Sequence, residues 1–212
     1  MIITCWSVKG GSGTTVVAAS LALLASRRGP EATLLVDLAG DAPAVLGMAE
    51  PTGPGVGDWL DGLGTDPDAL RAMEIDAAPS VRLLPMGARS LAGGANLAVL
   101  LALDTRTVVV DAGVLGPGPA FDVIAAATTS LLVLRPCYLA LRRAALAPVR
   151  PSGIVLVTEA GRALGRKDVE SVLGAPVVAE VLADPMVARA VDAGLLAGRL
   201  PRGLVRSLSH AA

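Results

Sequence analysis

The sequence predicts an α/β protein in which helices cover both faces of a mostly parallel sheet of roughly seven strands. Three observations support this fold class. Short apolar runs alternate along the chain with segments of helical character, the pattern of a parallel sheet buried on both faces. The residues are 53% hydrophobic and only 2% aromatic, so the core is expected to consist of small aliphatic side chains. The length of 212 residues fits one domain, spanning residues 1–212.

Runs of aliphatic and β-branched residues mark the strands. The predicted strands are 1–7, 31–37, 81–86, 107–111, 130–134, 153–157 and 176–181. The predicted helices include 16–26, 56–63, 68–73, 96–103, 184–194 and 200–208. Trp59, Leu60 and Leu63 form a small apolar face in the second of these helices. We interpret that face as a cap over the core, with a docking surface as the alternative.

A glycine-rich turn joins the first strand to the first helix. Its sequence, VKGGSGTT, runs from Val8 to Thr15. Glycines let backbone N–H groups converge on an anion, and the helix N-terminus adds its positive end, so the turn predicts a phosphate cradle. In the usual motif Lys and Ser or Thr occupy the last two positions. Here they are Thr14 and Thr15, so the hydroxyl that would hold Mg²⁺ is present and the lysine is absent.

This turn resembles the deviant Walker A motif KGGxGK[ST] of the ParA/MinD ATPases, which have a three-layer P-loop NTPase fold. The resemblance implies ATP and Mg²⁺ as cofactors. It also implies a homodimer in which Lys9 reaches across to the partner's phosphates, although Lys9 could instead fold back within its own chain. The nucleotide-binding residues that it implies are Lys9, Gly10, Gly11, Ser12, Gly13, Thr14 and Thr15.

Two predicted strands end in a carboxylate. Asp111 occupies the position of the Walker B aspartate, and Asp37 that of the first acid in the corresponding family region. Together with Thr15, they are the Mg²⁺ residues that the resemblance implies. Two residues beyond Asp37, where the family carries the aspartate that orients the attacking water, this chain has Ala39. Asp41 could substitute if the loop is rearranged; otherwise it is a turn residue.

Three further segments extend the resemblance over nearly the whole chain. Residues 112–119, rich in Gly and Pro, are similar to the family's mobile loop. Residues 184–194 are similar to the late loop and helix that close over the base. Thr158 stands where family members often have an Asn that contacts the base.

The missing lysine and aspartate predict a pseudo-ATPase. Losing a charge-assisted contact to the phosphates costs ~1.5–3 kcal/mol, roughly ten- to hundredfold in affinity. Hydrolysis is expected to suffer more, because the same lysine neutralises charge in the transition state. The first hypothesis is therefore a dimeric scaffold that recruits a protein partner and binds nucleotide weakly or not at all. The alternative is a slow, working ATPase switch in partition, septum placement or pilus localisation.

The cysteines and the single tyrosine argue against several branches of the superfamily that the turn resembles. Cys5 and Cys137 lack paired spacing, which argues against a disulfide framework and against iron–sulfur carriers and arsenite or tail-anchor ATPases, the relatives that depend on paired cysteines. Tyr138 is the only tyrosine, which argues against the tyrosine-kinase branch. The chain is most similar to the positioning branch, in particular to its divergent TadZ/CpaE-like members with eroded Walker motifs.

Other partners follow from charge and hydropathy. The net charge is −1, so the overall charge does not indicate a strongly charged partner such as a nucleic acid. Nonspecific DNA binding is a third hypothesis, and its candidate residues are Arg142, Arg143, Arg162, Arg166, Lys167, Arg199, Arg202 and Arg206. Residues 200–208 alternate leucines with arginines, which indicates a terminal helix docked on the core or, alternatively, a membrane-touching helix. The N-terminus lacks a basic leader and no run reaches the ~20 apolar residues of a spanning helix. We therefore expect a cytoplasmic protein, peripheral at most to membrane or nucleoid.

Overall fold

The computed structural model describes residues 1–62, 64–89 and 91–211. Within these ranges the chain alternates between strands and helices, as the apolar runs predict. The strands are β1 Ile2–Ser7, β2 Thr33–Asp37, β3 Ile75–Ala78, β4 Val81–Leu84, β5 Val108–Val114, β6 Thr129–Leu134, β7 Gly153–Thr158 and β8 Val177–Leu182. The helices are α1 Thr14–Ala25, α2 Ala42–Leu46, α3 Val56–Asp61, α4 Pro67–Ala72, α5 Ala95–Leu103, α6 Pro119–Ala126, α7 Tyr138–Ala145, α8 Arg166–Leu173, α9 Pro185–Asp192 and α10 Arg202–Leu208.

The strands form one sheet in the order β3-β4-β2-β5-β1-β6-β7-β8. All neighbours pair in parallel except β3, which runs antiparallel to β4 at the edge. The sheet therefore has eight strands where the sequence predicts roughly seven. The additional strand, Ile75–Ala78, has only four residues, half-buried or exposed, so it lacks the apolar run by which the other strands are recognised.

Helices cover both faces of the sheet, which confirms the predicted α/β architecture. On one face α1, α2, α9 and α10 pack over alternate strand residues that include Ile3, Leu35 and Val133. On the other face α3 to α8 pack over the intervening residues, such as Trp6 and Leu156. Because β1 and β5 lie in the middle of the sheet, the turn after β1 lies near the centre of the edge formed by the strands' carboxyl ends.

The helix at the C-terminal end of the described chain is docked on the core. Leu200, Leu204 and Leu208, the leucines of the predicted amphipathic pattern, are all buried. They pack in the cluster shared by α1 and β8. The apolar side of α10 is thus covered by the protein itself, which confirms the docked-helix prediction and leaves that side no contact with a membrane.

Trp59 caps the core, as predicted. Its side chain is buried among the residues under α3, α4 and α5, and its indole N–H donates to the carbonyl of Asp66 at 2.7 Å. Leu63, the third residue of that predicted apolar face, lies outside the described residues. In the described part of the chain, the helices all fall short of the length and hydrophobicity that crossing a bilayer requires.

Candidate functional site

The turn between β1 and α1 has the backbone conformation of an anion cradle. Gly11 and Gly13 have φ angles of 74° and 88°, in the left-handed region that residues with a Cβ rarely adopt. A Cβ added at either glycine would meet no atom within 4 Å. The concave side of the turn is therefore open. In the described chain the N–H groups of Gly11 and Gly13 have no protein acceptor, so they are available to an anion at the start of α1.

Two serine hydroxyls hold the turn in place. Ser12 donates to the carbonyl of Lys9 at 2.8 Å, which closes the turn on itself. The Ser7 hydroxyl lies 3.2 Å from the carbonyls of Lys9 and Gly113. Ser7 thus ties the start of the turn to the end of β5.

The two anomalous positions of the motif have different surroundings. Thr14 is the first residue of α1, is buried, and lines the cleft described below. Lys9 is exposed and is absent from the lining of that cleft. The lysine is therefore placed at the front of the turn, outside the cradle formed by its own chain.

Asp111 provides the strongest indication of a cation site. Its side chain is fully buried, Oδ1 accepts the N–H of Gly113 at 3.1 Å, and Oδ2 is buried without a hydrogen-bond partner. Burial raises the pKa of Asp111 to about 7, and the nearby carboxylate of Asp37 adds to the rise, whereas the Thr15 hydroxyl and the Gly113 N–H lower it. An orphaned carboxylate oxygen next to the hydroxyl of Thr15 suits a hard divalent cation such as Mg²⁺.

Asp37 lies directly beside Asp111 in the sheet register, but its carboxylate is already engaged. Oδ1 accepts the N–H groups of Ala39 and Gly40 at 2.9 and 2.7 Å, and Oδ2 accepts that of Ala42 at 3.0 Å. Burial raises the pKa of Asp37, and these three N–H groups oppose the rise. Asp37 therefore shapes the β2–α2 loop, and Asp111 holds the free oxygen of the pair.

The β2–α2 loop places Ala39 and Asp41 differently. The Cβ of Ala39 lies 3.0 Å from where a Cβ on Gly113 would be, so Ala39 packs closely against the end of β5. Asp41 is exposed and precedes α2 without capping it. Its side chain lines the cleft, which a turn residue alone does not require.

These elements enclose a cleft of about 720 Å³ at the carboxyl end of the central strands. This is where ligands bind in open α/β sheets. Besides the turn from Gly10 to Val16, the cleft is lined by Ser7, Leu38, Ala39, Asp41, Ala44, Val45, Ala112, Gly113, Val114, Val191 and Asp192. Six of the seven predicted nucleotide-binding residues thus share one cleft, and Lys9 lies outside it.

A second, more apolar cavity of about 600 Å³ adjoins the first. The two cavities share Gly13, Val16, Val191 and Asp192. The walls of the second come largely from residues 182–192, which overlap the 184–194 segment that the resemblance implies to close over the base. Thr158, the position of the family's base-contacting Asn, does not line it.

Two residues of these cavities are missed by the sequence analysis. Arg135 lines the second cavity and forms a 3.1 Å ion pair with Glu159. It directly follows β6, and attention to all strand ends, including those without a motif, could have found it. Ser7, whose hydroxyl lies within hydrogen-bond distance of both the turn and the end of β5, has no sequence signal beyond being the last residue of β1.

The arginines of the DNA-binding hypothesis are not gathered on one surface. Arg162 and Arg166 are engaged in ion pairs with glutamates. Arg142 and Arg143 lie on α7, on one face of the sheet, whereas Arg202 and Arg206 lie on α10, on the opposite face.

The sheet order and the position of the cleft are those of a P-loop α/β fold. No protein-family model matches the sequence and no curated protein matches it, but solved structures do. A ParA family ATPase from Chlorobium tepidum superposes with a TM-score of 0.79 at 19% identity, covering 98% of this chain and 96% of that one. The septum site-determining protein MinD from Pyrococcus horikoshii, complexed with Mg-ADP, gives 0.75 at 21%, covering 100% and 91%. MinD in the MinC:MinD complex of Aquifex aeolicus gives 0.71 at 19%, covering 91% and 85%.

At these identities the similarity establishes the fold. The chain therefore has the ParA/MinD-like P-loop fold, over nearly its whole length.

Proposed function

We propose that this chain is a ParA/MinD-type positioning protein whose nucleotide serves as structural glue for a homodimer rather than as fuel. In this proposal it binds ATP with Mg²⁺ weakly, hydrolyses it very slowly or not at all, and recruits a protein partner as a dimer. The observation that carries the proposal is a glycine turn with the conformation of an anion site that lacks the usual lysine, at Thr14, and lies beside a β2–α2 loop that has Ala39 in place of the usual aspartate.

The conformation of the glycine turn and the free oxygen of Asp111 support nucleotide binding. Gly11 and Gly13 keep the left-handed turn, and Asp111 keeps an unpartnered oxygen beside Thr15. Thr15 and Asp111 are the residues that would hold Mg²⁺, which supplies charge neutralisation for the bound phosphates. The MinD structure with Mg-ADP shows that this fold can hold such a ligand.

The loss of hydrolysis follows from Thr14 and Ala39. Without a lysine in the cradle, charge developing on the transferred phosphoryl group lacks its usual partner within the chain. With Ala39 packed at Gly113, the β2–α2 loop offers no acid at the usual water-orienting position. Two independent contributions to the rate are thus absent.

The position of Lys9 supports a homodimer. It is exposed at the front of the turn and outside its own cleft, a position suited to the phosphates of a second copy. A recruited protein is a further part of the proposal. The MinC:MinD complex shows one such assembly on this fold.

A slow ATPase switch is the second candidate, and Asp41 favours it. Asp41 is among the residues that line the cleft and its side chain makes no cap hydrogen bond to α2, which leaves the carboxylate free to orient water. In that case Asp41→Ala abolishes steady-state phosphate release.

Steady-state phosphate release from ATP tests the proposal. We expect no release above that of buffer, and the same result for Lys9→Ala and Asp111→Ala. Lys167→Ala is the matched control, since Lys167 is the only other lysine and lies exposed on α8. Turnover that falls in Lys9→Ala or Asp111→Ala but not in Lys167→Ala would establish the second candidate instead.

A further inference from the structure

The walls of the second cavity suit a flat aromatic base. Of its fifteen lining residues, eleven are aliphatic or proline, among them Val157, Val181 and Val191. It shares Gly13 and Val16 with the cleft at the glycine turn, so a base in the second cavity can belong to a nucleotide whose phosphates lie in the first. Its volume of about 600 Å³ is in the usual range for small-molecule sites.

Side-chain hydrogen bonding in this cavity is confined to three charged residues. Among the described residues that line it, Arg135, Asp184 and Asp192 are the ones with polar side chains. A guanidinium only donates hydrogen bonds and a carboxylate only accepts them. Side chains that do both, such as asparagine, glutamine, serine and threonine, are absent from the described lining. A base that fits must therefore offer acceptors to the arginine and donors to an aspartate.

Arg135 is oriented by an ion pair and keeps free donors. It directly follows β6, and its Nη1 donates to Glu159, which follows β7, at 3.1 Å. Glu159 is fixed in turn by Arg162, whose Nε donates to Oε2 at 2.8 Å. In the described chain Arg135 makes no other hydrogen bond, so most of its five N–H groups remain available to a ligand.

Asp184 is oriented at the start of α9. Its Oδ1 accepts the N–H of Met186 at 2.8 Å, and within the described residues it makes no ion pair. The preceding residue, Ala183, donates to the carbonyl of Thr158 at 2.8 Å, which places Asp184 beside the end of β7. Since β6, β7 and β8 are neighbours, Arg135 and Asp184 follow strands about 10 Å apart. The cavity thus has a donor and an acceptor that come from different sides of β7.

Guanine offers the matching pattern and adenine opposes it. The O6 and N7 atoms of guanine accept hydrogen bonds, and bidentate donation from an arginine is the commonest specific contact to them. Beyond O6, its N1–H and N2 amino group donate, as a carboxylate requires. Adenine carries an amino group in place of O6 and an acceptor at N1, so it would set donor against donor and acceptor against acceptor. Pyrimidines have no counterpart of N7.

We propose that the second cavity selects guanine, with Arg135 donating to O6 and N7 and Asp184 accepting from N1–H and the N2 amino group. Asp192, which lines both cavities, is then left to the sugar between the base and the phosphates. The inference rests on the nucleotide binding proposed above and adds the base and the side chains that select it. It makes Mg-GTP the preferred ligand and Mg-ATP a weak one.

Calorimetric titrations of the chain with Mg-GTP, Mg-ATP, Mg-CTP and Mg-UTP test the inference. GTP should bind at least ~10-fold more tightly than each of the others, because a good bidentate contact to a base discriminates by about that factor or more. Inorganic tripolyphosphate with Mg²⁺ is titrated alongside. It has no base, so its affinity reports on the glycine turn alone.

Two substitutions separate the roles of the charged side chains. Arg135→Gln introduces an amide, which pairs with N6 and N7 of adenine, so the preference for GTP over ATP should vanish. Asp184→Asn keeps a residue that can cap α9. It should weaken GTP binding at least ~10-fold and favour xanthosine triphosphate, whose base carries a carbonyl in place of the N2 amino group. Neither variant should change the affinity for tripolyphosphate.

Arg150→Gln is the matched control for Arg135→Gln. It makes the same change at an exposed arginine in the loop before β7, at the opposite edge of the sheet, and should leave the ratio of GTP to ATP affinity unaltered. Urea denaturation of each variant verifies that its fold is intact.

Three results would overturn the inference. The first is ATP, CTP or UTP binding as tightly as GTP, which leaves the proposed function standing. The second is a preference for GTP that survives both Arg135→Gln and Asp184→Asn, or an affinity for tripolyphosphate that falls in these variants as far as that for GTP. The third is the absence of binding by any of these triphosphates up to millimolar concentration, which also refutes the proposed function.

Discussion

Replacing Asp111 by Asn probes the buried carboxylate at the centre of the site. In the unfolded chain an aspartate ionises near its ordinary value of 3.8, whereas burial raises the pKa of Asp111 in the folded chain to about 7. A shift of about three units corresponds to ~4 kcal/mol. The side chain therefore stabilises the metal-free fold fully below about pH 4, and this contribution is lost as the pH rises to about 7.

Asp111→Asn removes this ionisation while keeping an oxygen that can accept the N–H of Gly113. At about pH 8 without metal, the variant should be more stable than the unmodified chain by ~2–4 kcal/mol, and near pH 4 the difference should nearly vanish. Added Mg²⁺ should stabilise the unmodified chain, which binds it in the folded state only, and not the variant.

Urea denaturation at both pH values, with and without Mg²⁺, measures these free energies of unfolding. Asp41→Asn is the control, because it removes a carboxylate from the same cleft at an exposed position, and its stability should match that of the unmodified chain. A variant no more stable than the unmodified chain at about pH 8, or one that gains equally from Mg²⁺, would refute the assignment of Asp111 as the cation ligand.

Three further predictions concern packing and the cradle. Arg106→Met should cost ~3–5 kcal/mol in urea denaturation, because the largely buried carboxylate of Asp104 loses its ion-pair partner and that of Glu74 keeps only Arg82, at 3.7 Å; a loss below ~1 kcal/mol would contradict this. Leu204→Ala should cost ~2–5 kcal/mol, whereas Leu195→Ala, at an exposed position, should cost little; equal losses would argue against a docked α10. Thr14→Lys should tighten ATP binding ~10- to 100-fold in calorimetry, and unchanged affinity would show that the cradle does not hold phosphate.

Most of the architecture can be predicted from the sequence because its strands are apolar on both faces. The runs that become β1 and β7 are continuous and bounded by polar or glycine residues, so their positions follow from composition alone. β5 is predicted to end at Asp111 but continues to Val114, because its pairing with β1 extends beyond the apolar run. The edge strand β3 is different. With the sequence IDAA at an exposed edge, it is held mainly by its pairing to β4, a contact that local pattern does not reveal.

The candidate site is only partly predictable, for a related reason. The glycine turn and Asp111 are local signals, and the structure places both in one cleft. The engagement of Asp37 with three backbone N–H groups depends on the path of its loop. The approach of Arg135 to the second cavity depends on packing between elements distant in sequence.

In the proposed function, the glycine turn binds nucleotide and thereby joins two copies of the chain without turnover. A titration of the purified chain with ATP and Mg²⁺ by calorimetry, with light scattering at both ends and phosphate release measured alongside, tests it most directly. We expect saturable heat, a doubling of mass and no released phosphate. The absence of heat up to millimolar ATP with an unchanged mass, or phosphate release that tracks binding, would contradict it.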